Sequence, residues 1–294
     1  MNRIVFSILA ASFAVICLCA APPALPKLAD GRCRICILGS CSGTEPMPNR
    51  HHTALTLEYK GRLYQFDAGE GCAYTAYLGG VDLVNLRALF ISHPHIDHNA
   101  GLPHLLMVRR KSSLRSKRQL VVTPLPIYTP SPAQIEALLD FMTASACGKA
   151  DYRKDGVIEI HRVADGTIFD DGNIKVEAVH NRHVGDPVDG HWLAFSYKIT
   201  AGDKKIVFSG DVKSLDEMSP FLGDCDLLLM ETGHHHPWKV AEDIRKNPAW
   251  HVRRLVFVHH GRDILERPQE SARRAAEAWG SPVLIADDMT IIEL

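Results

Sequence analysis

Three histidines and one aspartate lie within six residues of one another, directly after an apolar run. The segment, residues 93–98, reads H-P-H-I-D-H. In an extended chain alternate side chains share a face, so His93, His95 and Asp97 converge on one point and His98 reaches a neighbouring point. Imidazole and carboxylate groups in this combination suit Zn²⁺. The spacing therefore predicts a metal site, and the alternative of merely buried or solvated side chains is the weaker interpretation.

The composition is that of an ordinary globular chain with an excess of histidine. The chain has 294 residues, of which 46% are hydrophobic and 23% charged. These values exclude a disordered tail, a collagen-like chain and a disulfide knot. The 33 basic and 34 acidic side chains nearly cancel, so no overall charge favours nucleic acid or an anionic membrane as partner. The 16 histidines indicate a site, because histidine is the commonest metal ligand and the usual proton carrier near neutral pH.

The first 20 residues have the features of a secretory signal peptide. Arg3 precedes an apolar run from Ile4 to Cys19, and small residues follow from Ala20. The run is short for a bilayer span of about 20 residues. We therefore predict a signal peptide over residues 1–20, export to the periplasm or the extracellular space, and no stable membrane span. An uncleaved N-terminal anchor and a lipid-anchored cysteine are the alternatives.

Six cysteines follow the predicted signal peptide: Cys33, Cys36, Cys41, Cys72, Cys147 and Cys225. An exported protein can pair some of them, but the sequence does not give the connectivity. Cys33 and Cys36 form a C-x-x-C motif inside a predicted strand, where positions three apart point to opposite faces. No second C-x-x-C completes a zinc site, so we interpret this pair as buried structural thiols.

Strands dominate two blocks of the chain, with helices between and after them. The predicted strands are Cys33–Leu38, Ala54–Tyr59, Arg62–Phe66 and Ala88–Ser92, then Ile174–Val179, Leu193–Thr200, Lys205–Ser209, Leu227–Met230 and Leu255–Val258. The predicted helices are Pro103–Arg110, a helix capped by Ser131 and closed at Cys147-Gly148, and Pro268–Trp279. No repeat, low-complexity stretch or composition break divides this part of the chain. We predict four layers, with two sheets in the middle.

Three further motifs support a family resemblance: residues 37–40 (I-L-G-S), 66–71 (F-D-A-G-E-G) and 98–103 (H-N-A-G-L-P). Together with H-x-H-x-D-H they resemble the metallo-β-lactamase superfamily, in its ribonuclease Z and arylsulfatase-like branch of metal-dependent hydrolases. The resemblance covers essentially residues 33–294. It implies one hydrolase domain of the α/β class, a four-layer αβ/βα metallo-β-lactamase sandwich. It also implies a dinuclear metal site where the strand ends meet.

The remaining metal ligands are carried over from this resemblance. His183 ends a segment similar to the strand before the family's third histidine, and its spacing favours it over His180. His259 ends a run similar to the strand before the last histidine, and its alignment favours it over His260. Asp211, after Phe-Ser-Gly, resembles the bridging aspartate. The implied site has one ion on His93, His95 and His183, a second on Asp97, His98 and His259, and Asp211 shared between them.

Two zinc ions that share a water lower its pKa toward about 7, and the resulting hydroxide is the expected nucleophile. Mn²⁺ and Fe²⁺ are the alternative metals. A general acid must protonate the leaving group. Glu231 resembles a glutamate of ribonuclease Z-like proteins, and we pair it with His234 or His235. The predicted catalytic residues are Asp97, Glu231 and His235, and a surface histidine cluster is the alternative for the last.

Two further features receive a functional and a structural interpretation. Asp67 is expected to support the metal site from behind, and a plain strand-to-helix turn at Gly69-Glu70-Gly71 is the alternative. Residues 109–118 contain six cations, which can receive an anionic substrate. A solvated charged loop is the favoured interpretation, because the run has no aromatic side chain to stack on bases.

We predict a hydrolase of phosphodiesters or related esters, with a small-molecule or nucleotide ester as substrate. A tRNA is not the expected substrate, because His183 and Asp211 are 28 positions apart and two strands with the hairpin between them consume most of that interval, which leaves no room for the family's tRNA-gripping arm. Other nucleic acids and a homodimer stay open. An arylsulfatase or lactonase on the same scaffold and a non-catalytic zinc-binding module are the alternatives. The redox branch is set aside, since Ile96 stands where that branch has an acidic residue and no flavin domain follows.

Overall fold

Two seven-stranded sheets form the centre of the protein. The computed structural model describes residues 24–43, 45–120, 124–152 and 158–294, so the predicted signal peptide lies outside the described residues. Within these ranges the strands are β1 (Cys33–Gly39), β2 (Ala54–Tyr59), β3 (Arg62–Phe66), β4 (Leu86–Phe90), β5 (Leu125–Thr129), β6 (Ile158–Arg162), β7 (Gly166–Asp170), β8 (Ile174–His180), β9 (Phe195–Ala201), β10 (Lys204–Phe208), β11 (Leu227–Thr232), β12 (Leu255–His260), β13 (Leu284–Ile285) and β14 (Ile291–Glu293). One sheet has the order β14-β1-β2-β3-β4-β5-β6 and the other the order β13-β12-β11-β10-β9-β8-β7.

Helices cover the outer faces of both sheets. In the described ranges they are α1 (Cys72–Leu78), α2 (Leu102–Ser116), α3 (Pro132–Ser145), α4 (Ser219–Leu222), α5 (Pro237–Lys246), α6 (Arg262–Glu266) and α7 (Pro268–Trp279). The first sheet shares a buried apolar cluster with α1, α2 and α3, and the second shares one with α4, α5 and α7. Among the described residues, no helix combines the length and the hydrophobicity that a membrane span requires.

Side-chain alternation along the strands produces this layering. In β12, Val256 and Val258 belong to the cluster between the two sheets, whereas Phe257 belongs to the cluster beneath α5 and α7. Both faces of such a strand are therefore buried, which is why it is a continuous apolar run in the sequence. The predicted α/β fold, a four-layer αβ/βα sandwich, is confirmed.

The cysteines follow the same alternation. Cys33 lies in the cluster between the sheets and Cys36 in the cluster on the helix side, as their spacing predicts. All six cysteines of the described ranges are free thiols, and only Cys147 among them is exposed.

The basic run is mostly helical, so its interpretation as a loop is wrong. Helix α2 continues past the predicted end at Arg110 to Ser116. Arg109 is buried, and its guanidinium donates to the carbonyl of Leu86 at 3.2 Å. The exposed side chains of Lys111 and Arg115 still form a solvated charged face.

Helix α3 begins at Pro132, as predicted, but without the predicted side-chain cap. The side chain of Ser131 makes no capping hydrogen bond, and its carbonyl accepts the backbone N–H of Gln134 at 3.1 Å. Pro132 lacks an N–H and has a suitable φ, so the first turn forms without the serine hydroxyl.

Candidate metal centre

The ends of four buried strands bring the metal-binding motifs to one edge of the sandwich. Strands β10, β11 and β12 are parallel, so their carboxyl ends lie side by side. Asp211 follows β10, Glu231 lies near the end of β11 and His259 near the end of β12. The 93–98 motif follows β4 of the facing sheet, and His183 lies in the loop after β8. Rigid strands thus present the ligands without long flexible segments.

Asp211 is the common neighbour of the buried histidines. Its Oδ2 lies 3.1 Å from Nε2 of His259, 3.6 Å from Nε2 of His183 and 3.8 Å from Nε2 of His93. Its Oδ1 lies 3.4 Å from Nε2 of His98. One buried carboxylate therefore faces ring nitrogens from both sheets.

Two groups of three side chains lie around the carboxylate of Asp211. In each group the candidate ligand atoms lie within 4.8 Å of one another. They coincide with the two inferred ligand sets: His93, His95 and His183 in one, and Asp97, His98 and His259 in the other. The structure thus brings all seven predicted ligands together, and their assignment as ligands stays a prediction.

The chemistry of these atoms fits a pair of divalent ions. Nε2 of His98, Nε2 of His259 and Oδ1 of Asp211 are buried and lack a hydrogen-bond partner within the described residues. Nδ1 of His95 lies only 2.9 Å from Nε2 of His93 and 3.2 Å from Nε2 of His183. Buried polar atoms left without partners are costly, and imidazole nitrogens with carboxylate oxygens are donors that zinc accepts. These residues therefore form a candidate dinuclear site.

The electrostatics keep Asp211 ionised. Burial alone would raise its pKa, but His259, His98 and His93 hold that pKa well below its ordinary value. Burial, followed by the charge of His98, lowers the pKa of His93 well below its ordinary value. Burial also lowers the pKa of His183. An ionised carboxylate and neutral imidazoles are the protonation states that bind a metal.

Neighbouring groups orient the candidate ligands. Asp67 is fully buried and accepts from Nδ1 of His98 at 2.7 Å, in the supporting position that the sequence predicted. Thr53 contacts Nδ1 of His259 through its hydroxyl. The backbone N–H of Gly43 donates to Oδ2 of Asp97 at 2.9 Å. Thr53 and Gly43 could not be predicted from the sequence, because neither lies at a motif spacing from its partner.

The two competing histidines point away from the cluster. His180 donates from Nδ1 to Asp165 at 2.7 Å and stacks on Trp192. Nε2 of His260 donates to the carbonyl of Ala286 at 2.7 Å, and burial lowers its pKa to about 3. The cluster therefore contains His183 and His259, the alternatives that the sequence favoured.

His235 and its neighbour His234 both lie near Glu231. Nε2 of His235 donates to the carbonyl of Val212 at 2.9 Å and lies 3.5 Å from Oε1 of Glu231. Nδ1 of His234 lies 3.2 Å from Oε1 of Glu231 and 3.7 Å from Asp211, with its side chain about half exposed. The hydrogen bond to Glu231 raises the pKa of His234. The geometry thus favours His234 over His235 as partner of the buried Glu231.

A cleft of about 780 Å³ opens over the cluster. Its floor includes His95, Asp97 and Asp211, and Met47 and Leu265 contribute apolar walls. This volume lies in the range of small-molecule sites, so the cleft can hold a nucleotide-sized ester.

Comparison with known proteins places the chain in a family. The model of the beta-lactamase superfamily domain matches residues 66–274, so the chain belongs to the metallo-β-lactamase superfamily.

The similar proteins include ribonucleases from several bacteria. Ribonuclease Z of Treponema pallidum (strain Nichols) is 41% identical over 88 residues, which are 30% of this chain and 28% of that protein. Ribonuclease BN of Escherichia coli O7:K1 is 32% identical over 171 residues, 57% of this chain and 49% of that protein. The chain thus spans less than half the length of these curated relatives. The crystal structure of the metallo-beta-lactamase fold protein YhfI from Bacillus subtilis has a TM-score of 0.68 at 19% identity, and the match covers 90% of this chain and 100% of that one.

Proposed function

We propose that this protein is an exported, dinuclear zinc hydrolase that cleaves phosphodiesters of small-molecule or nucleotide type. The observation that carries the proposal is the position of Asp211, whose carboxylate lies within 3.8 Å of His93, His98, His183 and His259 at the floor of an open cleft. Ribonucleases among the relatives support a phosphodiester as the scissile group.

The residues of the histidine cluster would hold the metal ions and provide the charge of the site. Two divalent ions bound by the seven ligands would activate a water and polarise the phosphoryl oxygen. Asp211 separates the two ligand groups, and Gly43 orients the carboxylate of Asp97 at the edge of the cleft. Asp67 orients His98 from behind.

His234 donates the proton that the leaving group requires. Hydrolysis forms a bond from the water oxygen to phosphorus and breaks the phosphorus–oxygen bond to the leaving alcohol, whose oxygen then takes a proton. His234 lines the cleft beside Asp211, and Glu231 favours its protonated form. A positioned acid of this kind contributes about 10²–10⁴-fold to the rate.

The short loops of this chain favour a small substrate over a tRNA. Strands β9 and β10 and the tight turn between them take up residues 195–208 of the interval between His183 and Asp211, and what remains is mainly one loop at 184–194. Export, proposed from residues 1–20, would also separate the enzyme from tRNA. N-terminal sequencing of protein recovered outside the cytoplasm tests export, and retention of residues 1–20 there would contradict the cleavable signal.

The first test is turnover of bis(p-nitrophenyl) phosphate by the zinc-reconstituted protein. We expect turnover that is abolished in His95→Ala and retained in His180→Ala, since His180 lies outside the cluster. Absence of turnover with about two zinc ions bound per chain would overturn the phosphodiesterase proposal. Aryl sulfates and lactones would then be the next substrates to assay.

A second variant separates a hydrolase from a zinc-binding module. Asp211→Asn keeps the shape of the side chain but removes its charge. For the hydrolase we expect turnover to be lost while metal is retained, with bound zinc counted by elemental analysis. A parent protein that binds zinc but turns over no phosphodiester, aryl sulfate or lactone would support the module instead.

A further inference from the structure

A second cavity, of about 550 Å³, borders the histidine cluster and shares His234 with the main cleft. His183 and His234 form the wall that faces the cluster. Arg182 and Lys213 are the two cationic side chains that line it, and Val184, Gly185 and Val212 complete the lining. A group bound there would therefore sit next to whatever binds at Asp211.

Glu217 holds the two cationic residues at this cavity. Its Oε1 accepts the backbone N–H of Arg182 at 2.9 Å, and its Oε2 accepts the backbone N–H of Lys213 at 3.0 Å and that of Ser214 at 3.2 Å. One carboxylate thus ties the loop that carries His183 to the loop that carries Asp211. The positions of Arg182 and Lys213 beside the cluster are consequently a fixed feature of the fold.

The cations keep most of their charge available to a ligand. The carboxylate of Glu217 is occupied by backbone N–H groups, and within the described ranges Lys213 forms no side-chain ion pair. Arg182 has a 3.5 Å contact with the largely exposed Asp186, and its guanidinium lies over the ring of Trp192 at 5.6 Å. Exposed ion pairs of this length contribute little to stability, so an incoming anion can replace Asp186 as the partner of Arg182.

We propose that this cavity binds a second phosphate group of the substrate, next to the phosphodiester that is cleaved at the cluster. The proposal rests on the proposed function and makes it more specific: the substrate class is a phosphodiester that carries a neighbouring phosphate, as a 3′-phosphorylated nucleotide ester does. Arginine presents a fork of donors that matches phosphate oxygens, and lysine adds a compact charge. The main cleft then receives the other side of the scissile bond.

Two chromogenic substrates test the proposal. Thymidine 5′-(p-nitrophenyl phosphate) is compared with the same ester carrying a 3′-phosphate, so the scissile bond and the leaving group are identical. We expect the 3′-phosphate to raise kcat/KM by about tenfold, mainly through KM, and the ratio between the substrates to fall toward one in Lys213→Gln and Arg182→Gln. Lys175→Gln, which removes a charge on β8 away from the cavity, is the matched control and should keep the ratio. An unchanged ratio in both cavity variants would overturn the proposal.

A binding measurement separates this proposal from the proposed function. Thymidine 3′,5′-bisphosphate, thymidine 5′-phosphate and inorganic phosphate are titrated into zinc-loaded protein by calorimetry. If the bisphosphate binds more tightly than the monophosphate and this difference is lost in Lys213→Gln, the second phosphate site is supported. This conclusion holds even if neither ester is hydrolysed, because the absence of hydrolysis would overturn only the proposed phosphodiesterase activity. Equal affinity for bisphosphate and monophosphate would overturn the site. Inorganic phosphate that binds as tightly as the bisphosphate and loses this affinity in Lys213→Gln would show that the cavity takes free phosphate, and the substrate assignment would be wrong.

Discussion

Nδ1 of His98 lies 2.7 Å from Oδ2 of Asp67, and both side chains are fully buried where β4 ends. The same carboxylate accepts the backbone N–H of Ser92 at 2.7 Å and its hydroxyl at 2.8 Å, so its orientation is fixed. Because Nδ1 of His98 donates to Asp67, Nε2 is the atom that faces Asp211. Although burial lowers the pKa of His98, Asp211 and Asp67 hold it well above its ordinary value, so Nε2 must lose its proton before this atom can bind a metal. Such a carboxylate–histidine pair selects the ring tautomer that can bind a metal.

Asp67→Asn is expected to weaken zinc binding by about 10–100-fold, because the amide no longer orients His98 or raises its basicity. Competition with a chromogenic chelator measures the affinity. Asp165→Asn, which alters the carboxylate beside His180, serves as the control and should bind zinc like the parent. Equal affinity in Asp67→Asn and the control would contradict a role for Asp67 in the site.

His234→Ala should reduce turnover in a way that depends on the leaving group. A p-nitrophenolate leaves without a proton far more readily than a phenolate does. We therefore expect a loss of about 10²–10⁴-fold with a phenyl phosphodiester and a much smaller loss with the p-nitrophenyl analogue. Steady-state kinetics on the two esters measure the difference.

The matched control is His235→Ala, whose ring donates to the carbonyl of Val212. Any loss in this variant should be the same factor for both esters. If His234→Ala also loses the same factor with both esters, His234 is not the general acid.

The strands of this fold could be predicted where apolar residues fill both faces and a turn marks their ends. Strands β2 and β3 have the predicted bounds, because Lys60 and Gly61 between them adopt the positive φ that a tight turn requires. The prediction lacks β5, β6, β7, β13 and β14; strand β14, for example, has three residues, too few to show a periodicity. Its place depends on pairing with β1, where Arg34 contacts Glu293 at 2.9 Å across the sheet.

The candidate ligands came from the motif after β4 and from the family resemblance, but neither decided between the adjacent histidines His234 and His235. His234 and His235 have the same chemistry, and the backbone of the turn decides which ring faces Asp211. The backbone N–H of His234 donates to Oε2 of Glu231 at 2.9 Å, and this contact sets the direction of the turn. Such a hydrogen bond between residues three apart has no counterpart in a sequence pattern.

The buried ion pair at Asp171 predicts a loss of stability in acid. Although burial raises its pKa, hydrogen bonds from the N–H groups of Ile174 and Asn173, from the Tyr64 hydroxyl and from Arg87 lower it. A carboxyl whose pKa is lower in the folded state stabilises the fold above the unfolded-state value, near 3.8, and the stabilisation is lost as the pH falls below it. Asp171→Asn should therefore lower the free energy of unfolding by about 2 kcal/mol at neutral pH, and the difference should shrink below pH 3.8.

Urea unfolding of the metal-free protein between neutral pH and about pH 3 measures this dependence without a contribution from zinc release. Asp170→Asn is the neighbouring control, because Asp170 is exposed and accepts the N–H of Gly172. A stability difference that is independent of pH would mean that the charge of Asp171 does not contribute.

Burial predicts that Cys147 is the reactive thiol of the described chain. It is exposed, whereas burial raises the pKa of the other thiols to about 11 for Cys33, Cys36 and Cys41 and to about 12 for Cys72 and Cys225. Since the thiolate is the reactive form, the protein without residues 1–20 should release one equivalent of chromophore from DTNB when folded and six when denatured without reductant. Cys147→Ser should release none when folded. Fewer than six equivalents after denaturation would show that an exported chain forms a disulfide, and a second fast thiol in the folded state would contradict the burial of these side chains.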